Sequence, residues 1–336
     1  MVSFQHKITS GLEQYLIEVT QDLNDPTCDG VLVIGGTRHL GQLWRARRRG
    51  SFIVQRLDGM NWLHRRLRTG VRHFLRAEYG NLLLSFIRNH IADFIVYQSD
   101  FSKKWWESVH GPAPVPSSVV YNGVDLMQYS PLGVHARPLE EFRVLLVEGS
   151  LMGGYEIGLE VTLKLVEGLT EALNASHSLP GSGRNPVELM VVGRVTDELK
   201  NRIAQRSKVS IRWAGVVAPD QIPEVDRSAH LLYSADVNAA CPNSVIEALA
   251  CGLPVIAYDT GALPEMVAGV GGRVVPYGGD PWKLDTPDVQ ALVDAAAEIL
   301  QNQEIYRQAA RLRAEETFGL EKMVRGYLQA FAAGHE

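Results

Sequence analysis

Cys241-Pro-Asn-Ser-Val-Ile-Glu-Ala-Leu-Ala-Cys-Gly-Leu-Pro-Val-Ile-Ala257 is the most informative stretch of this 336-residue chain. It reads as loop, helix, stop and strand. Asn243 or Ser244 can cap a helix start, Gly252 can take the left-handed backbone that ends one, and Pro254 blocks continuation ahead of an apolar strand. A helix starting here aims backbone amides into the preceding loop, where they and the helix dipole favour a diphosphate without any charged side chain. Pro242, Asn243 and Ser244 are therefore candidate anion-binding residues, and Glu247, one turn in, is a candidate acceptor for ribose hydroxyls. A second reading stays open. Ser244-Val-Ile-Glu247 is also a capping box, in which Glu247 would bond only the backbone amide of the cap.

Outward from this stretch, short apolar runs alternate with helical periodicity. Runs at 30–34, 52–56, 94–98 and 119–121 predict buried strands, with helices over 12–23, 62–91 and 102–109. A loose segment at 130–141, with Pro131, Gly133 and Pro138, reads as a linker. Beyond it the pattern restarts, with strands at 142–147, 187–192, 209–213, 231–233, 254–258 and 272–275. Helices are expected over 155–175, 244–250, 290–300, 304–316 and 320–333, and a polar surface loop over 176–185. This is the arithmetic of an α/β fold with two doubly wound parallel sheets, whose ligands sit beyond the carboxyl ends of the strands.

Composition narrows the class. With 46% hydrophobic and 21% charged residues the chain is neither disordered nor fibrous, and three cysteines (Cys28, Cys241, Cys251) are too few and too scattered for a disulfide framework. A reducing, cytoplasmic setting is the expectation, with no apolar run long enough to span a membrane and no signal-peptide core near Met1. The net charge of −5 is unevenly spread: eleven arginines lie between Arg38 and Arg76, against the single acid Asp58. They form either a solvated basic face or a surface for phospholipid head groups or a phosphorylated acceptor, helped by Trp44, Trp62, Phe74 and Leu75. Arg56 and Arg65 belong to this segment and, with Gly35 and Gly36 after the first strand, are candidate acceptor- or anion-binding residues. The glycine pair lacks the full dinucleotide fingerprint, which argues against a dehydrogenase, and no nucleic-acid motif accompanies the arginines.

The 241–257 stretch, with Thr260-Gly-Ala-Leu-Pro-Glu265 after it, closely resembles the signature of retaining nucleotide-sugar glycosyltransferases of family 4. Further matches follow in order: Ala92-Asp-Phe-Ile-Val-Tyr-Gln-Ser99, Tyr121-Asn-Gly-Val-Asp125 with Pro131, and Glu188-Leu-Met-Val-Val-Gly193. The resemblance covers about residues 30 to 330. It implies the GT-B fold: an acceptor-binding Rossmann-like domain (1–135), a nucleotide-sugar donor domain (136–318) across a cleft, and a last helix (319–336) that crosses back. Glu247 matches the second glutamate of the family's paired motif and is implied to hold the donor ribose, with residues 242–244 on the distal phosphate. Gly149, Ser150 and Gly193 are carried over as further donor-site positions. Asp58 stands roughly where many relatives have a histidine beside the reacting sugar. It could act as base on the acceptor, bond a sugar hydroxyl or steady positive charge at the anomeric carbon, while an Asx-turn before Gly59 is the structural alternative.

The departures are equally specific. The first glutamate of the paired motif falls on Ala239, leaving Asp236 and Asn238 as nearby substitutes, and the loop Glu148-Gly-Ser-Leu-Met-Gly-Gly-Tyr155 has no cation where relatives carry arginine and lysine. Arg194 is the candidate replacement for that charge, and Gly153-Gly154 could bring amides to the phosphates instead. The family's first strand and glycine-rich loop would be shortened to Ile8-Thr-Ser-Gly11. No Asp-X-Asp triplet occurs, so neither a metal nor any cofactor beyond the nucleotide-sugar substrate is expected. The resulting expectation is a retaining, metal-independent transferase acting on a glycan, lipid-linked or small-molecule acceptor, in the cytoplasm or at the inner face of an anionic membrane. A catalytically silent GT-B module that binds a nucleotide sugar or a partner is the alternative.

Overall fold

The computed structural model describes residues 2–151, 156–175, 187–267, 269 and 271–334; the expected loop at 176–185 and the Gly153-Gly154 pair lie outside them. The chain divides into two units, Met1–Val124 with Thr317–Glu336, and Asp125–Glu316. In chain order the first runs α1 (Val2–Glu13), β1 (Gly30–Ile34), α2 (Leu40–Arg48), β2 (Phe52–Leu57), α3 (Val71–His90), β3 (Phe94–Tyr97), α4 (Asp100–His110) and β4 (Ser117–Val119). The second continues with β5 (Phe142–Ser150), α5 (Glu156–Ala175), β6 (Val187–Arg194), α6 (Asp197–Ala204), β7 (Ser210–Gly215), α7 (Ile222–Arg227) and β8 (Leu231–Tyr233). It closes with α8 (Asn243–Ala250), β9 (Val255–Tyr258), α9 (Leu263–Met266), β10 (Gly272–Val275), α10 (Val289–Gln301) and α11 (Gln303–Thr317). The last helix, α12 (Leu320–Ala332), belongs to the first unit.

The first unit holds a four-stranded parallel sheet in the order β1-β2-β3-β4. Because the strands follow chain order, right-handed crossovers put α2, α3 and α4 on one face. There Leu43, Ala46, Leu84, Ile87 and Trp106 pack around Ile53, Leu57, Ile95 and Tyr97. The opposite pleat, Val54, Phe94 and Val96, is covered by the two chain ends: Phe4, Ile8 and Leu12 of α1 with Val324 and Tyr327 of α12. Both faces are thus buried although the connections wind one way. Tyr121-Asn-Gly-Val-Asp125 fixes α12 in place. The Val124 amide donates to the Phe318 carbonyl (2.9 Å) and the Leu320 amide to the Val124 carbonyl (2.9 Å). A Cβ on Gly123 would lie 2.9 Å from Leu320 Cα, so the motif's glycine is a contact of backbone with backbone.

The second unit holds six parallel strands in the order β10-β9-β8-β5-β6-β7. From β5 the chain builds outward through β6 and β7, then returns to β8 on the other side, so the winding reverses between β5 and β8. Leu159, Val166 and Leu169 of α5 join Leu292, Val293 and Ile299 of α10 over Val144, Leu146, Val187, Leu189 and Val191.

Every expected strand is present to within three residues, whereas the helix expected over 12–23 is not. The helix lies over α1 instead, because Phe4, Ile8 and Leu12, spaced by four, find a partner in α12, while Leu16, at φ +59°, stands exposed. Ile8-Thr-Ser-Gly11 is therefore helical, and not a strand with a glycine loop; Gly11 is there because a Cβ would press into Val324 Cγ2. The helix expected over 62–91 is cut by Gly70 (φ +85°) into a 3₁₀ turn at Leu63–Arg65 and α3. Helices α2, α6, α7 and α9 were not among those expected from the sequence.

Candidate functional site

In an open parallel sheet the crevice outside the carboxyl ends of the strands opens where the winding reverses. In the second unit that place is the pair β5 and β8. Strand β5 ends on Glu148-Gly-Ser150, and β8 runs into residues 234–242 and then α8. Burial pushes the Glu148 carboxyl up to about 8, with the Asp236 carboxylate adding to it, and burial lifts Asp236 to about 6. Glu148 is therefore mostly protonated at neutral pH. A neutral carboxyl with a hydrogen to donate stands in the loop that lacks a cation.

Beyond Asp236, Asn238 is held at φ +59° with its side chain buried, and its Nδ2 has no hydrogen-bond partner among the described residues. Its backbone amide donates to Thr260 Oγ1 (3.4 Å). Gly261, at φ +60°, lies so close that a Cβ would stand 2.5 Å from the Ala239 nitrogen and oxygen. Ala239 itself is buried and accepts the Ala262 amide (2.8 Å), so the position that lost its glutamate is a packing position here.

Helix α8 starts differently from the cap expected at Asn243 or Ser244. Its N-cap is Pro242, in extended backbone (φ −69°, ψ 123°), a residue whose own side chain makes no capping hydrogen bond. Counted from that cap, the third helical residue is Val245, so Ser244 and Glu247 do not form a capping box. The stop is as expected. Gly252 takes φ +66°, the Leu253 amide donates to the Ala248 carbonyl (2.8 Å) and the Gly252 amide to the Leu249 carbonyl (3.0 Å), a Schellman end. Glu247 is half-buried in an acidic neighbourhood. Burial, reinforced by the Glu247 charge, holds the Asp226 carboxyl well above the usual carboxylate range, and the same charge adds to the burial that raises the Tyr129 phenol.

Strand β6 supplies the other wall. Gly193 has φ +134°, and a Cβ on it would fall 1.8 Å from the Glu148 carbonyl oxygen, so only glycine fits against β5 there. Arg194 follows, in register with Ser150, its carbonyl accepting the Leu151 amide (3.0 Å). Its side chain is exposed and makes no ion pair with the described residues. Gly149 and Ser150 thus end β5 beside Gly193 and Arg194 of β6, while Pro242, Asn243, Ser244 and Glu247 lie at the cap and in the first turns of α8, the helix that follows β8.

The remaining candidates belong to the first unit. Asp58 follows β2; its carbonyl accepts Trp106 Nε1 (2.6 Å) and Ser102 Oγ (3.1 Å), and burial pushes its carboxyl up against the pull of Arg56. Arg56 is an interior group, not an open cation. Its guanidinium lies 3.9 Å over the Phe4 ring and donates to Asn122 Oδ1 (2.9 Å), whose Nδ2 donates to Gln98 Oε1 (3.1 Å). Arg65 is held in a two-point pair by Glu78 (2.5 and 2.8 Å), which also takes His64 Nε2 (2.8 Å) and is drawn down to about 2. Gly35, at φ +75°, closes the end of β1 by donating to the Arg56 carbonyl (2.9 Å), and Gly36 packs on Leu84. Among the described residues no three His, Cys, Asp or Glu side chains are grouped to hold a metal ion.

Residues 159–302 match the family described as glycosyl transferases group 1, a span from α5 to just past α10 that takes in Gly193, Arg194 and residues 242–247 and begins after Glu148, Gly149 and Ser150. Solved structures agree on the fold. The sucrose-phosphate synthase of Thermosynechococcus elongatus is 18% identical, with a TM-score of 0.64 over 91% of this chain and 74% of that one. WaaG, a glycosyltransferase involved in lipopolysaccharide biosynthesis, is 13% identical, with a TM-score of 0.67 over 97% and 94%. HepE of Anabaena is 18% identical, with a TM-score of 0.60 over 90% and 78%. The chain has the GT-B fold. No curated protein matches it in sequence.

Proposed function

We propose that the protein is a retaining, metal-independent glycosyltransferase that moves a sugar from a nucleotide diphosphate sugar to a glycan, lipid-linked or small-molecule acceptor. The observation that carries this is the start of α8, with Pro242 at its cap and the sheet's winding reversal, between β5 and β8, just before it. Amides there favour the distal phosphate, Glu247 takes the ribose hydroxyls, and Arg194 offers positive charge to the leaving diphosphate. HepE, whose structure holds UDP-glucose, and the pneumococcal O-GlcNAc transferase GtfA, solved with UDP and GlcNAc, support a nucleotide sugar as the donor. Front-face attack, with the departing phosphate taking the acceptor's proton, needs no covalent nucleophile; Asp58 is assigned to the acceptor. The three free cysteines fit a reducing compartment, and the arginine-rich first unit fits work at the inner face of an anionic membrane.

Incubation with UDP, GDP and ADP sugars should release nucleoside diphosphate from at least one of them. Binding without release from any would favour the silent module, a reading that the cation-free loop and Ala239 keep in play. Glu247→Gln should weaken nucleotide binding about tenfold, the worth of one charge-assisted hydrogen bond, with little change in melting temperature. Intact binding with a large fall in melting temperature would make Glu247 structural. Arg194→Ala should slow turnover by about tenfold or more; unchanged turnover removes it from the site.

A further inference from the structure

Helix α3 carries two apolar stripes. One faces the sheet: Ala77, Asn81, Leu84 and Ile87 are buried. The other faces outward. Val71, Leu75, Tyr79, Leu82 and Phe86 follow one another at spacings of four, four, three and four, which keeps them within an arc of about 80° on the side opposite the buried face. They are 78%, 63%, 47%, 65% and 43% exposed. Scattered surface apolar residues need no explanation, but five large ones in a single line on one helix form a contiguous patch of the kind that marks an interaction site.

Arginines border the patch. Arg72 and Arg76 are exposed on the same helix, Arg38 lies 5.9 Å over the Tyr79 ring, and Arg48 stacks at 3.6 Å on the half-exposed Trp44 of α2. Only two acids, Asp58 and Glu78, occur between residues 38 and 90. The first sits under burial that favours its neutral form, and the second is already taken by Arg65 and His64. Arg65 is thus paired with Glu78 and Arg47 with Asp93 (2.8 Å), while Arg38, Arg48, Arg72 and Arg76 around the stripe make no ion pair among the described residues.

We infer that this outer face of α3, with Trp44 and Arg48 beside it, docks on the surface of an anionic phospholipid bilayer. The apolar line enters the boundary of the acyl chains, tyrosine and tryptophan sit at head-group level, and guanidinium groups take the lipid phosphates. Charge selects this occupant. A second copy would bring arginines against arginines, and a nucleic acid would satisfy the arginines while leaving Leu75 and Leu82 in water. The inference supplies the surface for the membrane part of the proposed function, and its test uses no sugar donor, so its failure would leave the transferase reading standing.

Sedimentation of the full chain with vesicles of equal parts phosphatidylglycerol and phosphatidylcholine, against phosphatidylcholine alone, tests it. The protein should bind the anionic vesicles at about 50 mM salt, lose affinity severalfold as salt shortens the screening length, and ignore the zwitterionic ones. The double substitution Leu75→Glu with Leu82→Glu should lower vesicle affinity by at least about tenfold. Arg72→Ser with Arg76→Ser should weaken binding and flatten its salt dependence. An unchanged melting temperature establishes that each variant is folded. Absence of vesicle binding at low salt, or full binding by the glutamate variant, overturns the inference. So does a dimer of the wild-type chain that Leu75→Glu with Leu82→Glu dissociates, which would give the face to a second copy.

Discussion

Nucleoside diphosphate affinity should fall as pH rises through about 8, by about tenfold between pH 7 and pH 9, and Glu148→Gln should abolish that fall. The Glu148 carboxyl is pushed up to about 8 by burial and by Asp236, at the place where β5 and β8 part. While protonated it can donate to a phosphate oxygen; once ionised it sets a negative charge against a negative ligand in a loop with no cation to offset it. Glutamine keeps the shape and the donor and cannot ionise. The stability of the free protein should show the same group. Its folded value lies above its ordinary value of 4.5, so between about pH 4.5 and pH 8 the folded state holds a proton that the unfolded chain has released, and stability declines as pH rises through that window. Asp236 adds a smaller decline between 3.8 and about 6. Glu148→Gln should therefore raise the melting temperature most at the alkaline end, by a stability change on the order of 1–3 kcal/mol. Calorimetry and nucleotide titration across this range check both limbs. A wild-type affinity independent of pH would remove Glu148 from the ligand, and a glutamine variant with the wild-type stability slope would remove it from the titration.

What made Glu148 hard to read is physical. The missing cation could be seen in Glu148-Gly-Ser-Leu-Met-Gly-Gly-Tyr155, but the protonation of its acid depends on burial and on Asp236, a residue that reaches it only through the pairing of β5 with β8. The strands were legible for the complementary reason: parallel strands covered on both faces, such as Val187–Arg194, appear as apolar runs whatever their neighbours. The stop of α8 was legible because Gly252 and Pro254 act locally. Its start was not, since Asn243 and Ser244 are good caps by type, yet the path of the chain places Pro242 at the cap position. Helix α1 depends on the far end of the chain, where Val324 and Tyr327 offer Phe4 and Ile8 a surface. The outer stripe of α3 escaped because a helix apolar on two sides does not say which side is inside.

Gly193→Ala should cost the second unit on the order of 4 kcal/mol or more, while Gly149→Ala, in the directly paired strand β5, should cost about 1 kcal/mol or less. At φ +134° an alanine at 193 is strained before any contact is counted, by about 1–3 kcal/mol. Its methyl would then fall 1.8 Å from the Glu148 carbonyl oxygen, which is backbone and cannot rotate aside. Strands β5 and β6 must separate where Val147 pairs with Val192 and Ser150 with Arg194. Gly149 has no such neighbour within 4 Å and no positive φ, so its alanine variant controls for the loss of glycine as such. Urea unfolding of the two variants decides the matter, and a Gly193→Ala midpoint close to wild type would show that the strands can part at little cost. The functional consequence follows from the same geometry. The close approach that forbids a Cβ is what brings Arg194 level with Ser150, so a variant that folds with its strands spread should lose the positioning of Arg194 even though the guanidinium itself is untouched.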